Sequence, residues 1–246
     1  MKVEGCTALV TGGNRGIGQG FVEELVDAGA RKVYVGSRNP DDIPDTYADY
    51  GDKIEVLQLD ISNPDQVAAA AAKAQDVTLL VNNAGVFNMT TLTTAPTMDD
   101  MRSEMEVNFF GTMSMCRAFA PIIEQNGGGA IVNVLSAGGI VAVPNMGGYS
   151  PSKFAMRAAS DCMRAELRHR NIHVAALIVG SVKTRMAAHI KNMKQALPRD
   201  IGKAGIFAVE NNINEHDTDP HAVSVRAFLA RDPHGLAESM AQRVAQ

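Results

Sequence analysis

The chain has 246 residues, and its 23 lysines and arginines against 27 aspartates and glutamates give a formal net charge of −4 at pH 7. This near balance, without any block of basic residues, excludes the electrostatic footprint of a nucleic-acid-binding protein. No apolar run reaches the roughly 18 residues of a membrane span, and the first residues lack the layout of a signal peptide. We therefore expect a cytoplasmic protein that makes no membrane contact.

Six apolar, β-branched runs alternate with helical patterns over the first 180 residues. The runs are almost continuously hydrophobic, as are strands that are covered on both faces. Alternating strands and helices predict right-handed crossovers, and therefore an α/β protein with a doubly wound Rossmann fold and a central parallel sheet. The predicted strands are residues 6–11, 32–36, 54–59, 77–82, 130–136 and 172–179, and the predicted helices are 18–28, 64–73, 98–125 (as two helices) and 149–170.

The pattern weakens after the sixth strand. Residues 183–212 indicate one or two mobile helices, NINEHD (212–217) a short strand, and 222–245 the closing helices. Because no shift in composition marks a boundary, we predict a single domain over residues 1–246. Its first 184 residues would form the cofactor-binding and catalytic core, and the remainder the substrate loop, lid helices and C-terminal helices.

The three cysteines and six histidines give no sign of a metal centre. Cys6, Cys116 and Cys162 are widely spaced within apolar or helical patterns, which favours reduced packing residues over a disulfide framework or a zinc site. The histidines show no ligand spacing, so we expect no metal.

The first predicted strand runs directly into a glycine-rich stretch, TGGNRGIG (11–18). Gly12, Gly16 and Gly18 would let the backbone turn tightly, approach a pyrophosphate and begin a helix whose positive end faces the phosphates. A strand before the turn and a helix after it are the context that a dinucleotide fingerprint requires. We therefore predict a bound dinucleotide.

The residues after the second strand distinguish NAD from NADP. A carboxylate there would hydrogen-bond the ribose hydroxyls of NAD, whereas an arginine accommodates the 2′-phosphate of NADP. This sequence has Ser37 and Arg38 at that point, and Arg15 in the glycine turn adds a second cation. Two guanidinium groups would hold a phosphate through charge-assisted hydrogen bonds; the alternative is two solvated surface arginines. We predict NADP(H).

Later strand ends carry small or polar residues. Asp60 and Ile61, after the third strand, are placed to meet an adenine ring, although Asp60 could equally cap the helix that begins at Pro64. After the fourth strand, NNAG (82–85) lets the chain pass close to a ligand. The fifth strand ends at Ser136, whose hydroxyl would face the same crevice.

In YSPSK, Tyr149 and Lys153 are one helical turn apart, so on a helix their side chains share a face. Pro151 lies between them and is tolerated only in the first turn of a helix, so we predict that a helix begins at or just before Tyr149. A lone tyrosine and lysine at this spacing are more typical of a solvated surface. The function of the pair therefore depends on the residues around it.

TGGNRGIG, NNAG, the asparagine of VNFFG, the serine of VNVLSAGG and YSPSK, in this order and at these intervals, resemble the classical short-chain dehydrogenases/reductases over roughly residues 5–184. The resemblance implies that Tyr149 exchanges a proton with the carbonyl or alcohol oxygen and that Ser136 holds that oxygen. It implies that Lys153 hydrogen-bonds the nicotinamide ribose and lowers the pKa of the tyrosine, and that the backbone of Asn108 keeps a water in the proton relay. The cofactor-binding residues expected on all these grounds are Gly12, Asn14, Arg15, Gly16, Ile17, Gly18, Ser37, Arg38, Asp60, Ile61, Asn83, Ala84, Gly85, Tyr149, Lys153, Val182 and Thr184.

Two features depart from the family pattern. The family usually carries Pro-Gly after the sixth strand, where this chain has Val179-Gly180, and the chain lacks the family's frequent glycine-rich last strand. The resemblance implies a homodimer or homotetramer. The absence of this glycine-rich strand weakens the case for the tetramer. The other expectation is a dimer through residues 109–125 and 149–170.

The residues expected on the substrate side are mostly apolar, with no fixed cation to bind a carboxylate or phosphate. They predict a hydrophobic ketone or aldehyde, and its alcohol, as the small-molecule substrate of an NADP(H)-dependent ketoreductase or alcohol dehydrogenase. Two alternatives stay open: reduction of an imine or an activated alkene, and a non-catalytic regulator that senses NADP. Residues 185–212 could close over the site as a lid or be ordered and passive. The expected lining is Phe87, Met89, residues 140–143, Met146, and Met186 onward.

Overall fold

A sheet of seven parallel strands forms the centre of the protein within residues 1–190 and 193–242, which the computed structural model describes. The strand order is β3-β2-β1-β4-β5-β6-β7. The six predicted strands are confirmed, and the seventh lies inside NINEHD. The strands are β1 (Thr7–Thr11), β2 (Lys32–Ser37), β3 (Ile54–Gln58), β4 (Leu79–Asn82), β5 (Gly129–Val134), β6 (Ile172–Ile178) and β7 (Glu215–Asp217).

Helices cover both faces of this sheet. The two helices predicted over residues 98–125 are present as α-helices, and a π-helical segment, Glu106–Gly111, joins them without a break. A 3₁₀ segment, Asp45–Lys53, which the sequence pattern did not indicate, precedes β3. The α-helices are α1 (Gly16–Asp27), α2 (Pro64–Lys73), α3 (Asp99–Met105), α4 (Thr112–Gln125), α5 (Tyr149–Leu167), α6 (Pro198–Glu210), α7 (Pro220–Arg231) and α8 (Pro233–Gln242).

The two faces of the sheet explain why the strands are apolar throughout. Along β1, Leu9 packs in one hydrophobic core with Phe119 of α4, whereas Ala8 and Val10 pack in the other with Phe21 of α1. Successive side chains of a strand point to opposite faces, so both sets must be apolar when helices cover both faces. The strand order reverses between β1 and β4, which opens a crevice at the carboxyl ends of these strands.

Part of the predicted mobile segment is a helix docked on α1. A Cβ at Gly20 would overlap the backbone of Pro198, so α1 and α6 approach closely at this glycine. Arg199 pairs with Glu24 and Asp27 across the same contact. This docking favours the ordered alternative for residues 198–210, and residues 191 and 192 of the segment lie outside the described residues.

Two of the three cysteines are packing residues, as predicted. Cys6 and Cys116 are buried, and burial raises the pKa of each thiol to about 12. The prediction is wrong for Cys162, which is exposed because the buried stripe of α5 runs through Met156, Ser160 and Met163 instead. Among the described helices, none combines the length and the apolar character that crossing a membrane requires.

Candidate active site

A cavity of about 1140 Å³ lies at the carboxyl ends of the strands, beside the glycine-rich turn. It brings together nearly all of the residues that the sequence predicts for the site. Gly18 and Asn108 lie outside the lining. The predicted residues that line the cavity are Gly12, Asn14, Arg15, Gly16, Ile17, Ser37, Arg38, Asp60, Ile61, Asn83, Ala84, Gly85, Ser136, Tyr149, Lys153, Val182 and Thr184.

The glycine-rich turn needs glycine for two separate reasons. Gly12 and Gly16 have φ angles of 61° and 56°, in the left-handed region that side chains disfavour. A Cβ at Gly18 would overlap the Gly12 carbonyl, so this glycine lets α1 begin directly against the turn. The first N–H groups of α1 and the positive end of its dipole consequently face the cavity, which suits a pyrophosphate.

Two guanidinium groups lie at the end of the cavity formed by β2. Arg38 lines the cavity and forms no ion pair within the part of the chain that the structure describes. Arg15 Nη1 lies 3.5 Å from Asp42 Oδ2, and Asn14 Nδ2 donates to the same carboxylate oxygen over 3.1 Å. Arg15 is therefore partly neutralised by Asp42, a carboxylate that the sequence analysis did not single out.

The turn after β3 decides between the two interpretations of Asp60. Asn63 caps α2, because its side chain accepts the N–H groups of Asp65 and Gln66. The Asp60 carboxylate instead accepts the N–H and the hydroxyl of Ser62, over 3.0 and 2.6 Å. The helix-cap interpretation of Asp60 is therefore wrong, and Asp60 lines the cavity.

The asparagines of NNAG tie strand ends together. Asn82 Nδ2 donates to Asn133 Oδ1 over 2.9 Å, which links β4 to β5. Asn83 Nδ2 donates to the carbonyl oxygens of Thr11 and Gly12 over 3.0 and 3.1 Å, which links β4 to the glycine turn. These bonds fix the neighbouring Ala84 and Gly85 against the cavity.

Tyr149 and Lys153 lie one turn apart at the start of α5. Tyr149 is the first residue of the helix and Pro151 lies in its first turn, so this sequence prediction is confirmed. Lys153 Nζ lies 5.6 Å from the centroid of the Tyr149 ring and donates to the Val134 carbonyl over 3.0 Å. Both residues line the cavity, as does Ser136.

The sequence leads us to expect that Lys153 lowers the pKa of Tyr149, but other groups determine this pKa in the structure. Burial raises the pKa of Tyr149; the hydroxyl of Ser136 opposes this rise, and the charge of Glu104 adds to it. Burial also lowers the pKa of Lys153 to about 8. Desolvation therefore dominates both groups, and the neutral phenol is the favoured form of Tyr149 near neutral pH.

Asn108 lies in the π-helical segment, one helical turn after Glu104. Its side chain accepts the Val86 N–H over 2.9 Å and donates to the Val86 carbonyl over 3.0 Å, and it also donates to Ser152 Oγ over 3.0 Å. Asn108 thus joins the chain after β4 to the first turn of α5. π-Helical segments are frequent at functional sites.

The loop after β6 is held by a residue that the sequence analysis missed. Gly180 N donates to Asp219 Oδ2 over 2.7 Å, and a Cβ at Gly180 would overlap this carboxylate. The other oxygen of Asp219 accepts the N–H groups of His221 and Ala222 and so caps α7. An aspartate before a proline at a helix start was the available signal, but its bond to Gly180 could not be read from it.

The substrate side of the cavity matches the prediction in part. Phe87 and Met186 line it, and the Phe87 ring centroid lies 5.0 Å from that of Tyr149. Ile140 and Val141 do not line it, because they are buried in the core beneath α5. The cavity lining also includes two cations, Lys183 and Arg185, in the same loop as Thr184, which lies beside Gly16 of the glycine-rich turn. Met89 is 53% exposed and lies outside the lining.

The sequence model described as short chain dehydrogenase matches residues 6–195. The mouse protein "Dehydrogenase/reductase SDR family member 7B" is 30% identical over 192 residues, which cover 74% of this chain and 59% of the relative. Human 17-beta-hydroxysteroid dehydrogenase type 2 is 33% identical over 195 residues, covering 76% and 50% respectively. The chain therefore spans only half to three fifths of the length of these curated relatives.

Among solved structures, a short-chain dehydrogenase from Burkholderia cenocepacia J2315 in complex with NADP is 38% identical and superposes with a TM-score of 0.91. The match covers 98% of this chain and 99% of that one. The family model and the whole-chain match agree with the α/β fold described above. The chain belongs to the classical short-chain dehydrogenases/reductases, a family of oxidoreductases.

Proposed function

We propose that the protein is an NADP(H)-dependent oxidoreductase that interconverts a hydrophobic ketone or aldehyde and its alcohol. One observation carries this proposal: Ser136, Tyr149 and Lys153 converge on the same cavity as the glycine-rich turn. A proton donor and a dinucleotide cradle in one cavity suit the reduction of a carbonyl group.

The residues around the cavity fit NADP(H). The backbone at Gly12 and Gly16 leaves room for a pyrophosphate, and Arg15 and Arg38 offer cations for a 2′-phosphate. Lys153 is buried and would hydrogen-bond the nicotinamide ribose. The related Burkholderia structure in complex with NADP supports this choice, and NAD is the alternative. When bound, NADP(H) supplies the hydride.

The proton is handled by the chain itself. Tyr149 Oη donates to the carbonyl oxygen during reduction, and Ser136 Oγ orients that oxygen by a hydrogen bond. Because burial favours the neutral phenol, Tyr149 is ready to donate near neutral pH. Oxidation of the alcohol needs the phenolate, so its rate should rise with pH. The backbone of Asn108 would hold a water that connects Lys153 to solvent.

The wall beside Tyr149 supports an apolar substrate. Phe87 packs on the Tyr149 ring and lines the cavity, as do Val86 and Met186. The human relative is named as a hydroxysteroid dehydrogenase. Lys183 and Arg185 line the same cavity, so anionic carbonyl compounds belong in the substrate panel. For assembly, we propose a homodimer through residues 109–125 and 149–170, where Phe110 of the π-helical segment and Phe154 of α5 are exposed.

A titration and one variant test the proposal. NADPH should bind more tightly than NADH when cofactor fluorescence is titrated, and a panel of apolar and anionic ketones should reveal turnover of the apolar ones. Tyr149→Phe should lower kcat/KM by about 10²–10⁴-fold, since it removes the acid/base group, and should change the Kd of NADPH by less than about twofold. The matched control, Tyr50→Phe, removes a phenol outside the cavity lining and should leave both unchanged.

Each contrary result has a definite meaning. Activity retained in Tyr149→Phe would reject the mechanism. Tight NADPH binding without turnover of any carbonyl, imine or alkene would favour the sensor alternative. Turnover confined to anionic ketones would assign substrate binding to Lys183 and Arg185 instead of the apolar wall.

A further inference from the structure

Glu104, on α3, is a buried carboxylate that no cation balances. Its side chain has 0% exposure, and it forms no ion pair within the described residues. Burying a charged carboxylate is costly unless other groups compensate it. The cavity lining does not include it, and the proposed proton transfer does not use it.

One oxygen of this carboxylate holds the chain that follows β4. Glu104 Oε1 accepts the Asn88 N–H over 2.8 Å, and Asn108, one helical turn later, holds Val86 by two hydrogen bonds. The two side chains therefore fix residues 86–88 at both ends. Phe87 lies between these points, and its ring packs on that of Tyr149.

The other oxygen lies against the start of α5. A Cβ at Gly148 would come within 2.6 Å of Glu104 Oε2, so only glycine permits this approach. Oε2 makes no direct hydrogen bond to a described residue. Burial raises the pKa of Glu104, and the N–H groups of Asn88, Gly148 and Tyr149 oppose this rise. The positive end of α5 thus provides the compensation that no cation gives.

We propose that Glu104 is a positioning residue: its carboxylate joins residues 86–88 to the first turn of α5 and so fixes Phe87 against Tyr149. It acts through Tyr149 and does not touch the substrate. The inference rests on the proposed function, in which Tyr149 is the acid/base group.

The same contact gives Glu104 an electrostatic effect on Tyr149. The charged groups around the pair are Lys153 on α5, with Nζ 5.6 Å from the Tyr149 ring centroid, and Asp100 on α3, which raises the pKa of Glu104. Within this set the charge of Glu104 raises the pKa of Tyr149. Replacing Glu104 with a neutral residue of the same shape should therefore favour the phenolate.

Two substitutions separate positioning from charge. Glu104→Ala removes the acceptor of the Asn88 N–H, so hydrogen–deuterium exchange in a peptide covering residues 86–92 should accelerate by about tenfold or more. Glu104→Gln keeps an acceptor and should restore slow exchange. Glu106→Gln, which removes an exposed carboxylate two residues along the same helical stretch, is the matched control and should change nothing.

The charge effect is measured without turnover. Ultraviolet absorbance near pH ~10, where a free tyrosine is about half ionised, reports the phenolate of Tyr149 when the spectrum of the matching Tyr149→Phe protein is subtracted. Glu104→Gln should increase this phenolate signal by about twofold or more. In alcohol oxidation the same variant should move the midpoint of the pH–rate profile to lower pH.

Equal phenolate signals in the wild type and Glu104→Gln would overturn the proposal, as would unchanged exchange in a folded Glu104→Ala. If Glu104→Ala does not fold, the phenolate comparison still decides. Exchange and absorbance need no substrate, so a failure of the proposed reaction would appear separately, as the absence of turnover in the wild type.

Discussion

Lys153 is the residue at which stability and the proposed chemistry conflict. It is 6% exposed, and only the Val134 carbonyl accepts a hydrogen bond from it among the described residues. Burial lowers its pKa from 10.5 to about 8. A buried ammonium with a single hydrogen bond destabilises the folded state. A protein keeps such a destabilising group when its function requires it.

The shifted pKa of Lys153 gives a pH dependence of definite sign. Between pH 8 and 10.5 the unfolded chain keeps the proton that the folded chain has released, so this group makes stability rise with pH across that window. Below pH 8 both states are protonated and the full penalty remains. A shift of this size corresponds to about 3 kcal/mol.

Lys153→Met should therefore stabilise the cofactor-free protein while it abolishes activity. At pH 7 we expect the free energy of unfolding to rise by about 1–2 kcal/mol, because the lost hydrogen bond to Val134 offsets part of the gain. Urea unfolding at pH 7 and near pH ~9.5 measures this, and the gain should shrink at the higher pH. Lys203→Met, at an exposed position of α6, is the control. A gain equal at both pH values would contradict the prediction.

At the residue scale, the site residues that belong to a sequence motif could be predicted. The residues that matter through tertiary contacts could not. Tyr149, Lys153 and Ser136 follow strands or begin a helix, so strand-end reasoning finds them. Glu104 and Asp219 gain their importance from burial beside Gly148 and Gly180, glycines from which they are far away in the sequence. Nothing in local periodicity shows that an acidic residue will be buried there.

Among the elements, α7 does more than close the sheet. Its cap, Asp219, also holds Gly180, so the loop that would face the nicotinamide is tied to the start of this helix. This bond offers stiffness at the place where the family has proline and this chain has Val179. The helix end and the cavity loop should therefore respond together to a change at Asp219.

Asp219→Ala should weaken both the fold and cofactor binding. Loss of the cap should cost about 1 kcal/mol, and release of Gly180 should raise the Kd of NADPH by about three- to tenfold. The matched control is Ala227→Gly at an exposed position of α7. It should also lower the free energy of unfolding by about 1 kcal/mol, but it leaves the hydrogen bond between Asp219 and Gly180 in place. Thermal unfolding and fluorescence titration measure the two effects. Equal NADPH affinities in the two variants would show that Asp219 only caps the helix.

The elements themselves were largely predictable, because a sheet covered on both faces forces each strand to be apolar throughout. The exceptions share a cause. The docking of α6 depends on Gly20 and on Arg199 meeting α1, far away in the sequence, and the π-helical segment depends on Asn108 holding Val86 and Ser152. Such contacts leave no periodic signal in the segment concerned.

At the scale of the whole molecule, the cavity couples distant parts of the chain. Its lining includes residues that follow strands β1 to β6, from Gly12 to Thr184, together with Pro198 at the start of α6. A ligand that contacts these residues can bind only when the sheet and α6 are assembled. Binding therefore stabilises the whole fold and not one element.

NADPH should consequently raise the midpoint temperature of thermal unfolding in a concentration-dependent manner. At a hundredfold excess over its Kd, the free energy of unfolding should rise by about 2.7 kcal/mol. NADH at the same concentration should raise the midpoint less, because it lacks the 2′-phosphate that Arg38 would attract.

Arg38→Ala should weaken NADPH binding by about five- to tenfold and remove most of the difference in affinity between the two cofactors. Arg117→Ala, at an exposed position of α4 outside the cavity lining, is the control.

Salt provides an independent check on this advantage of NADPH. Arg38 is exposed, so its attraction for a phosphate is screened as ionic strength rises, and the gap between NADPH and NADH should narrow between about 0.05 and 0.5 M salt. In Arg38→Ala the gap should be small and nearly independent of salt. If instead the wild type binds NADH as tightly as NADPH at every ionic strength, the 2′-phosphate gains nothing from Arg15 and Arg38. The carboxylate of Asp42, which already pairs with Arg15, would then account for a preference for NAD over NADP.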